Sequence, residues 1–287
     1  MTPGACSAFR LDQPFIFPPM DRYVVIGNPV AHSLSPEIHA QFARLTGESI
    51  GYERLFAPAG EFARVAREFF AAGGRGANVT LPFKTDAYDF AAECTPRARE
   101  AGAVNTLLLR GTSIVGDNTD GAGLVRDLTA NLGLVLAGRR VLLLGAGGAA
   151  RGVLAPLVAL VPATLVVANR TRERAQELAR RCGSAVPVRG IGLDELDGSF
   201  DLVVNATSSS TRGETLTLPQ GLFAPGSTAY DMAYGPAARP FLEHARAAGA
   251  RACDGLGMLV EQAAESFWLW RGKRPDTAGV IAGLRAR

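Results

Sequence analysis

The stretch "RRVLLLGAGGAARGVLAPLVAL", Arg139–Leu160, decides the fold of this 287-residue chain. An apolar run is followed directly by a glycine-rich segment and then by residues typical of a helix, which predicts a strand, a tight turn and a helix. The letters "GAGGAA" fit the pattern G-x-G-x-x-G/A of dinucleotide-binding turns. A unit of this kind predicts a doubly wound parallel sheet. A plain glycine-rich turn is the alternative interpretation.

The glycines of this turn have separable physical roles. Gly145 permits the tight turn, Gly147 lets the backbone approach a pyrophosphate, and Ala150 allows the helix to pack closely on the sheet. Free N–H groups at the start of the helix attract phosphates. The residues expected to bind the dinucleotide here are Gly145, Ala146, Gly147, Gly148, Ala149 and Ala150.

The next predicted strand, "ATLVVA", is followed by "NRTRER" and ends without an acidic residue. An acid at this point accepts hydrogen bonds from the ribose of NAD, whereas arginine pairs bidentately with a 2′-phosphate. Asn169, Arg170, Thr171 and Arg174 therefore favour NADP over NAD. A solvated basic helix face is the alternative, and it accounts better for Arg180 and Arg181 than for the cluster at the strand end.

Alternating strand and helix patterns extend to both sides of this unit and predict two α/β domains. In the second domain, further strands are expected at "AVPV", "DLVVNA", "TAYDM" and "RACD". In the first, strands are expected at "YVVIG", "GYERLFA" and "GANVTL", and a hairpin at "NTLLLR" and "SIVGDN". The helix from Leu256 has no strand after it, so we expect it to pack back on the first domain.

The predicted architecture is therefore a split N-terminal substrate domain and a Rossmann-type doubly wound domain. The expected boundaries are an extension at 1–20, a substrate-binding catalytic domain at 21–120 plus 256–287, and an NADP-binding domain at 121–255. Met20 is a candidate for the true start of the chain.

Composition excludes several classes of protein. The formal charge of +3 comes from scattered arginines and is too small for a general nucleic-acid binder. No apolar run is long enough for a membrane helix. Cys6, Cys94, Cys182 and Cys253 are far apart and the three histidines are dispersed, so we expect reduced thiols, no metal site and a cytoplasmic protein. A homodimer is compatible with the sequence, which does not determine the oligomeric state.

Polar residues gather where the predicted strands of the first domain end. Ser35 and Pro36 fit the N-cap and first position of a helix, which leaves Ser33 unexplained. Two hydroxyls beside a helix N-terminus also suit a carboxylate. Further polar residues in the predicted cleft are Asn78, Thr80, Lys84, Asn105 and Asp120. Individually, Asn105 could satisfy a turn and Asp120 could cap the helix that follows.

Lys84 is one of only two lysines in a chain rich in arginine. A lysine can release a proton, which an arginine effectively cannot do. A neighbouring carboxylate would keep Lys84 charged and burial would favour its neutral form, and the sequence does not decide between them. Lys84 is therefore a candidate acid-base group.

The segments "HSLSP", "NVTLPFK", "GAVNT", "GDNTDGAG", "GAGGAARG", "NRT", "NATS", "YDMAY" and "EQAAESFWLW" occur in this order. In order and spacing the chain resembles the shikimate dehydrogenases from about Tyr23 to Arg271. The resemblance implies reversible NADP-linked reduction of 3-dehydroshikimate to shikimate in chorismate and aromatic amino-acid biosynthesis. Two departures are Ser210, where many members have glycine, and the unmatched first twenty residues.

The resemblance also assigns roles to residues. It implies that Lys84 and Asp120 form the catalytic pair, and that Ser33, Ser35 and Tyr234 hold the substrate carboxylate. The residues implied to bind the ring hydroxyls or position the acid-base group are Asn78, Thr80, Asn105, Asp120 and Gln262. Those implied beside the cofactor phosphates are Gly145 to Ala150, Asn169, Arg170, Thr171 and Arg174, and those beside its nicotinamide are Thr207, Ser208, Met232 and Gly255.

Three other functions compete with this one. A quinate/shikimate dehydrogenase would be expected to tolerate NAD and to prefer an acid near Arg170, so the sequence disfavours it. A folate-linked NADP dehydrogenase shares the two-domain plan but does not suit "HSLSP" and "NTDG". An inactive sensor of shikimate or a dinucleotide would have no reason to keep both Lys84 and Asp120.

Overall fold

The fold consists of two six-stranded sheets that face one cleft. A computed structural model describes residues 20–183, 186–209 and 216–287. The predicted extension, apart from Met20, lies outside the described residues, as do Cys6 and Ser210.

Twelve strands are formed by the described residues, and they divide equally between the two sheets. The first sheet contains β1 (Asp21–Gly27), β2 (Ile50–Phe56), β3 (Gly74–Val79), β4 (Glu93–Cys94), β5 (Thr106–Arg110) and β6 (Ser113–Asp117). The second contains β7 (Arg140–Leu144), β8 (Thr164–Asn169), β9 (Val188–Gly192), β10 (Phe200–Asn205), β11 (Phe223–Asp231) and β12 (Arg251–Asp254).

Helices follow most of the strands. The α-helices among the described residues are α1 (Ser35–Thr46), α2 (Phe62–Ala71), α3 (Lys84–Phe90), α4 (Pro96–Ala101), α5 (Asp120–Arg126), α6 (Gly148–Val158), α7 (Arg172–Arg181), α8 (Arg239–Ala247), α9 (Leu256–Arg271) and α10 (Ala278–Arg285). A π-helical turn, Asp127–Asn131, continues α5.

The second sheet is the predicted doubly wound sheet. Its strand order is β12-β11-β10-β7-β8-β9, and every pairing is parallel. Read from β9, this is the order 3-2-1-4-5-6 of dinucleotide-binding folds. Four consecutive residues of β7, Val141 to Leu144, are fully buried, as expected of a central parallel strand with helices on both faces. The fold class predicted from the sequence is confirmed.

The first sheet is mixed, with the order β2-β1-β3-β5-β6-β4. β1 pairs in parallel with β2 and β3, whereas β5 runs antiparallel to β3 and β6. The predicted β5–β6 hairpin is present, and Gly111 in its turn has φ +61°, which favours glycine. The carboxyl ends of β1 and β3 therefore lie side by side and carry the polar segments after Gly27 and Val79.

The long helix α9 packs on elements of the first sheet. It contacts α5, α1 and the strands β3 and β5. Trp270 donates from Nε1 to the carbonyl of Leu107 in β5, 3.1 Å away. Gly123 of α5 lies so close to Gln262 that an added Cβ would be 2.7 Å from the Gln262 backbone nitrogen. This close packing brings the Gln262 side chain to the cleft.

The sequence interpretation was wrong or incomplete in local detail. The short elements α4 and β4 were not predicted. The strand expected at "AVPV" is misplaced, because β9 begins only at Val188, the last of those residues, and runs to Gly192. Ala185 lies outside the described residues. Among the described strands, β9 pairs with β8 alone and forms an edge of the sheet, so its sequence is less uniformly apolar than that of a central strand.

Candidate active site

One cleft of about 1840 Å3 lies between the carboxyl ends of the two sheets. Among its lining are the predicted residues Ser33, Ser35, Asn78, Thr80, Lys84, Asn105, Asp120, Gly145, Ala146, Gly147, Gly148, Ala149, Asn169, Arg170, Thr171, Arg174, Thr207, Ser208, Met232, Tyr234, Gly255 and Gln262. Ala150 is absent from this lining because its side chain is fully buried in the core between α6 and the sheet.

Lys84 and Asp120 form an ion pair at the centre of this lining. Nζ of Lys84 is 2.5 Å from Oδ2 of Asp120, and the side chains are only 13% and 6% exposed. Lys84 begins α3 and Asp120 begins α5. The Asp120 carboxylate does not cap α5, contrary to the alternative considered for it, because its oxygens bind Lys84 and Asn105 instead.

Asn105 connects the pair to the helix α9. Its Nδ2 donates to Oδ1 of Asp120 at 2.9 Å and to Oε1 of Gln262 at 3.2 Å. Its Oδ1 accepts from the backbone N–H of Thr119 at 2.7 Å. These bonds fix the orientation of the amide, so that one carboxylate oxygen of Asp120 is held by Asn105 while the other faces Lys84.

Asn78 is held in a second set of hydrogen bonds below the cleft. Its Oδ1 accepts from the Tyr52 hydroxyl at 2.7 Å, and its Nδ2 donates to Oγ of Ser266 at 2.9 Å and to Oγ1 of Thr106 at 3.2 Å. Thr80 follows β3 at the rim, where its backbone N–H donates to the carbonyl of Ile26. Asn78 is therefore rigidly placed at the floor of the cleft.

His39 packs behind Asn78 and is fully buried. Its ring stacks on Tyr52 with a centroid separation of 4.1 Å. Burial lowers the pKa of His39 from 6.5 to about 3, and the nearby Asn78 amide offsets part of this decrease. His39 is thus a neutral packing residue that supports Tyr52.

Ser33 and Ser35 lie at the start of α1. The helix begins at Ser35 and the preceding residue, Leu34, makes no side-chain cap, so the expectation that Ser35 is the N-cap is wrong. Instead, Oγ of Ser33 accepts from the Ser35 N–H at 3.3 Å and lies 3.2 Å from the Ser35 Oγ. Both hydroxyls are therefore gathered at one point of the cleft.

Tyr234 reaches the same point from the second sheet. Burial raises the pKa of its phenol, and a hydrogen bond with the backbone of Leu34 and the charge of Arg54 partly oppose that rise. Three hydroxyl groups from two sheets, those of Ser33, Ser35 and Tyr234, thus line one region.

The glycine-rich turn lies next to Lys84. Gly145 has φ +107°, and a Cβ there would be 3.1 Å from the backbone of Ala206 after β10. A Cβ on Gly147 would meet no atom within 4 Å, and one on Gly148 would lie 3.5 Å from the Lys84 Cβ. The turn therefore leaves space in front of Gly147, and the helix start at Gly148 is beside Lys84.

The end of β8 supplies a basic surface. Arg170, Thr171 and Arg174 are exposed, and no described residue forms an ion pair with Arg170 or Arg174, whereas Arg172 pairs with Glu195 at 2.9 Å. Nδ2 of Asn169 donates to the carbonyl of Thr171 at 2.9 Å. Two arginines are therefore free to bind an anion at the edge of the cleft.

The last group of predicted residues faces the turn from β10, β11 and β12. Oγ1 of Thr207 donates to Oδ1 of Asn205 at 2.8 Å. A Cβ on Gly255 would be 2.4 Å from the carbonyl oxygen of Met232, which explains why glycine stands there. Ser208 also lines this wall.

These residues fit a bound NADP. The open space at Gly147, the helix start at Gly148 and the two unpaired arginines match a pyrophosphate and a 2′-phosphate. Lys84 and Asp120 place a proton donor and a carboxylate beside that helix start. This combination suits proton transfer coupled to a hydride reaction of a hydroxyl or carbonyl compound.

Sequence reasoning missed several residues that support the site. They are Tyr52, Thr106, Thr119 and Ser266, which hydrogen-bond to Asn78 or Asn105. A signal for Ser266 was present, since Gln262 and Ser266 are four residues apart in the predicted helix and so share a face. No comparable pattern marks Tyr52 or Thr119.

No helix in the described part of the chain is both long and apolar enough to cross a bilayer. Within the same residues, no group of three or more histidine, cysteine or acidic side chains is arranged to hold a metal ion.

Three family models match the chain in consecutive segments. They describe a shikimate dehydrogenase substrate binding domain over residues 25–107, a shikimate / quinate 5-dehydrogenase over 128–214, and a shikimate 5′-dehydrogenase C-terminal domain over 255–284. Together they cover most of the chain.

Individual relatives match almost end to end. A protein of Dechloromonas aromatica (strain RCB) named shikimate dehydrogenase (NADP(+)) is 57% identical over 93% of this chain and 98% of its own. A crystal structure of shikimate 5-dehydrogenase from Thermus thermophilus with NADP(H) and shikimate is 36% identical, with a TM-score of 0.82 over 93% and 99% of the two chains. An Ael1 enzyme from Pseudomonas putida is 45% identical, with a TM-score of 0.84 over 92% and 98%.

Proposed function

This chain belongs to the shikimate dehydrogenase family, and we propose that it catalyses the reversible, NADP-dependent reduction of 3-dehydroshikimate to shikimate in chorismate and aromatic amino-acid biosynthesis. The observation that carries the proposal is the ion pair of Lys84 and Asp120 beside the glycine-rich turn. It places a proton donor next to the expected position of a nicotinamide cofactor. The relatives named above support both the substrate and the cofactor.

Substrate binding is assigned to the first sheet, to α9 and to Tyr234, which follows β11 of the second sheet. Ser33, Ser35 and Tyr234 hold the carboxylate with their three hydroxyls. The ring hydroxyls are assigned to Asn78, Thr80, Asn105, Asp120 and Gln262, most of which are fixed by the hydrogen bonds described above. A rigid set of polar groups of this kind selects the ring by the positions of its hydroxyls.

Proton transfer is assigned to Lys84. NADPH, when bound, supplies the hydride that reduces the carbonyl carbon. Lys84 Nζ donates the proton that the carbonyl oxygen takes up, and in the reverse direction its neutral amine accepts the proton of the 3-hydroxyl. Asp120 orients Nζ through their 2.5 Å contact. Asn105 and Gln262 hold Asp120 and keep the pair aligned.

Cofactor binding is assigned to the second sheet. Gly145 to Ala149 receive the pyrophosphate, with Ala150 packing the helix beneath it, and Arg170 and Arg174 bind the 2′-phosphate alongside Asn169 and Thr171. Thr207, Ser208, Met232 and Gly255 line the nicotinamide end. We propose the domain boundaries 21–120 plus 256–287 for the substrate domain and 121–255 for the cofactor domain.

The test is an assay with both cofactors and two substrates. The purified chain is given shikimate or quinate with saturating NADP or NAD, and the formation of reduced nicotinamide is followed by its absorbance. We expect rapid turnover only with shikimate and NADP. Equal or faster turnover of quinate with NAD would overturn the assignment in favour of a quinate/shikimate dehydrogenase. Folded protein that is inactive with all four pairs would indicate a sensor.

Two further proposals concern the protein in the cell. We place it in the cytoplasm with its small-molecule substrate and no nucleic-acid or membrane partner, which fluorescence of a tagged full-length chain tests. A homodimer stays a prediction, to be tested by light scattering of the purified protein at several concentrations.

A further inference from the structure

On the proposed function, the substrate site has to distinguish a carboxylate from a neutral group. Shikimate is an anion, yet the groups assigned to its carboxylate are three neutral hydroxyls. Of the described residues lining the cleft, the positively charged ones are Lys84, Arg170 and Arg174. Lys84 is neutralised by Asp120, and the arginines lie at the end of β8 in the second sheet. The lining of the carboxylate region therefore contributes hydrogen-bond donors but no free positive charge.

Arg54 of β2 supplies a charge directly behind this region. Its Nε and Nη2 both donate to the backbone carbonyl of Ser33, at 3.0 and 2.6 Å. No described residue forms an ion pair with Arg54, so its charge is not cancelled locally. A guanidinium that uses two N–H groups on one carbonyl holds that peptide in a defined orientation. Arg54 therefore fixes the turn that carries the Ser33 and Ser35 hydroxyls.

The positive charge of Arg54 also acts on the Tyr234 phenol. The peptide that joins Ser33 to Leu34 accepts from Arg54 at its carbonyl, and the backbone of Leu34 lowers the pKa of the Tyr234 phenol. The charge of Arg54 favours the phenolate of Tyr234 and so opposes the effect of burial on its pKa. Arg54 therefore acts on two groups of the carboxylate region, on the Ser33 carbonyl through hydrogen bonds and on the Tyr234 phenol through its charge.

The position of Arg54 in β2 explains how it reaches the site without lining it. Side chains two residues apart in a strand point to the same face, so Tyr52 and Arg54 share one face of the sheet. Tyr52 donates to Asn78 at the floor of the cleft, and Arg54 donates to Ser33 at its rim. An edge strand therefore supports the substrate site at two points.

We propose that Arg54 is a positioning and specificity residue that holds the Ser33 turn and supplies the positive charge by which the site prefers an anionic substrate over a neutral one. It acts through the Ser33 peptide and through the field at the three hydroxyls, and it does not touch the reacting atoms.

The experiment compares shikimate with its uncharged methyl ester as substrates of the full chain. In Arg54→Met, which keeps much of the side-chain bulk but removes the charge, we expect the KM for shikimate to rise about tenfold at low ionic strength. We expect kcat to change little and the KM for the ester to rise much less than that for shikimate, because the ester loses only the support of the Ser33 turn. The preference of the wild-type protein for shikimate should also weaken with added salt, because salt screens exposed charges.

Arg22→Met is the matched control. Arg22 lies on β1 in the same sheet, is exposed, and donates to a backbone carbonyl, that of Ala72, at 3.4 Å. It is at the other end of the strands from the cleft, so both KM values should remain unchanged. Equal dissociation constants for NADPH in all variants establish that the cofactor domain is intact.

Four outcomes other than the expected one are possible. An equal rise of both KM values in Arg54→Met would reduce Arg54 to a structural support, and unchanged values would remove its role; either overturns the proposal. If Arg54→Met does not fold, Arg54→Lys tests the proposal instead. It keeps the positive charge but lacks the two N–H groups that bind the Ser33 carbonyl, and it should retain the preference for the anion. Wild-type protein that turns over no shikimate would instead reject the proposed function.

Discussion

Lys84 and Asp120 are 36 residues apart in the chain, yet Nζ of the lysine lies 2.5 Å from Oδ2 of the aspartate. Each side chain stands at the start of a short helix, and both are largely removed from solvent. Asn105 holds the second oxygen of Asp120 at 2.9 Å, so the carboxylate has a single orientation toward the lysine. The pair is therefore preorganised for the transfer of one proton at Nζ.

The first prediction separates charge from proton transfer at Lys84. Lys84→Arg keeps a positive charge but cannot release a proton at neutral pH, so kcat should fall about 10²- to 10⁴-fold. Steady-state turnover of shikimate with NADP measures the change, and NADPH titration by fluorescence serves as the control for folding. Near-normal turnover of Lys84→Arg would contradict the acid-base assignment.

The second prediction concerns the coupling of the pair. Asp120→Asn removes the charge that orients Nζ, and we expect a loss of kcat comparable to that of Lys84→Met. Because the two residues act as one unit, the double variant should be at most about tenfold slower than the slower single variant. Losses that multiply in the double variant would show that the two residues act independently.

The third prediction tests the basis of cofactor selection. Arg170→Ser and Arg174→Ser each remove a charge-assisted hydrogen-bond donor, so each should raise the KM for NADP about 10- to 100-fold. The KM for NAD should not rise. Arg180→Ser is the matched control, since Arg180 is an exposed arginine in the last turn of α7, the helix that contains Arg174. Equal effects on NADP and NAD would contradict recognition of the 2′-phosphate.

The fourth prediction contrasts two glycines of one turn. A Cβ at Gly147 meets open space and its φ of −84° suits any residue, so Gly147→Val should fold normally but raise the Kd for NADPH at least about tenfold. Gly145 has φ +107°, so Gly145→Ala should lower the free energy of unfolding by about 1–3 kcal/mol. Thermal unfolding and NADPH titration distinguish the two. Normal NADPH affinity in Gly147→Val would place the pyrophosphate elsewhere.

The fifth prediction concerns pH and stability. The pKa of His39 is about 3 in the folded protein and near 6.5 when exposed. Between these values the unfolded chain binds more protons, so stability should fall as pH decreases from 6.5 toward 3, by at most about 1.4 kcal/mol per pH unit from this group. In urea unfolding at a series of pH values, His39→Phe should reduce this slope.

His244→Gln is the control for that measurement, because His244 is exposed on α8. It should leave the pH dependence unchanged. An identical slope in wild type and His39→Phe would show that His39 is not buried as a neutral group.

Much of this protein was predictable from local sequence. The apolar run before Gly145, the glycines after it and the arginines after Asn169 predicted a doubly wound cofactor sheet, because strand burial, backbone conformation and charge are expressed in consecutive residues. Lys84 was recognisable as a candidate because lysine is rare here and arginine cannot replace its chemistry.

Only the tertiary structure decided how these residues are joined. Asn105 and Gln262 are 157 residues apart, and their contact depends on α9 packing beside α5 through Gly123. The hydroxyl of Ser33 accepts the first N–H of α1, and Arg54 and Tyr52 reach the site from an edge strand. Such contacts depend on which helices and strands pack together, so they cannot be predicted from short stretches of sequence. Sequence determined the parts of the site and the chemistry available to each, and packing determined their partners.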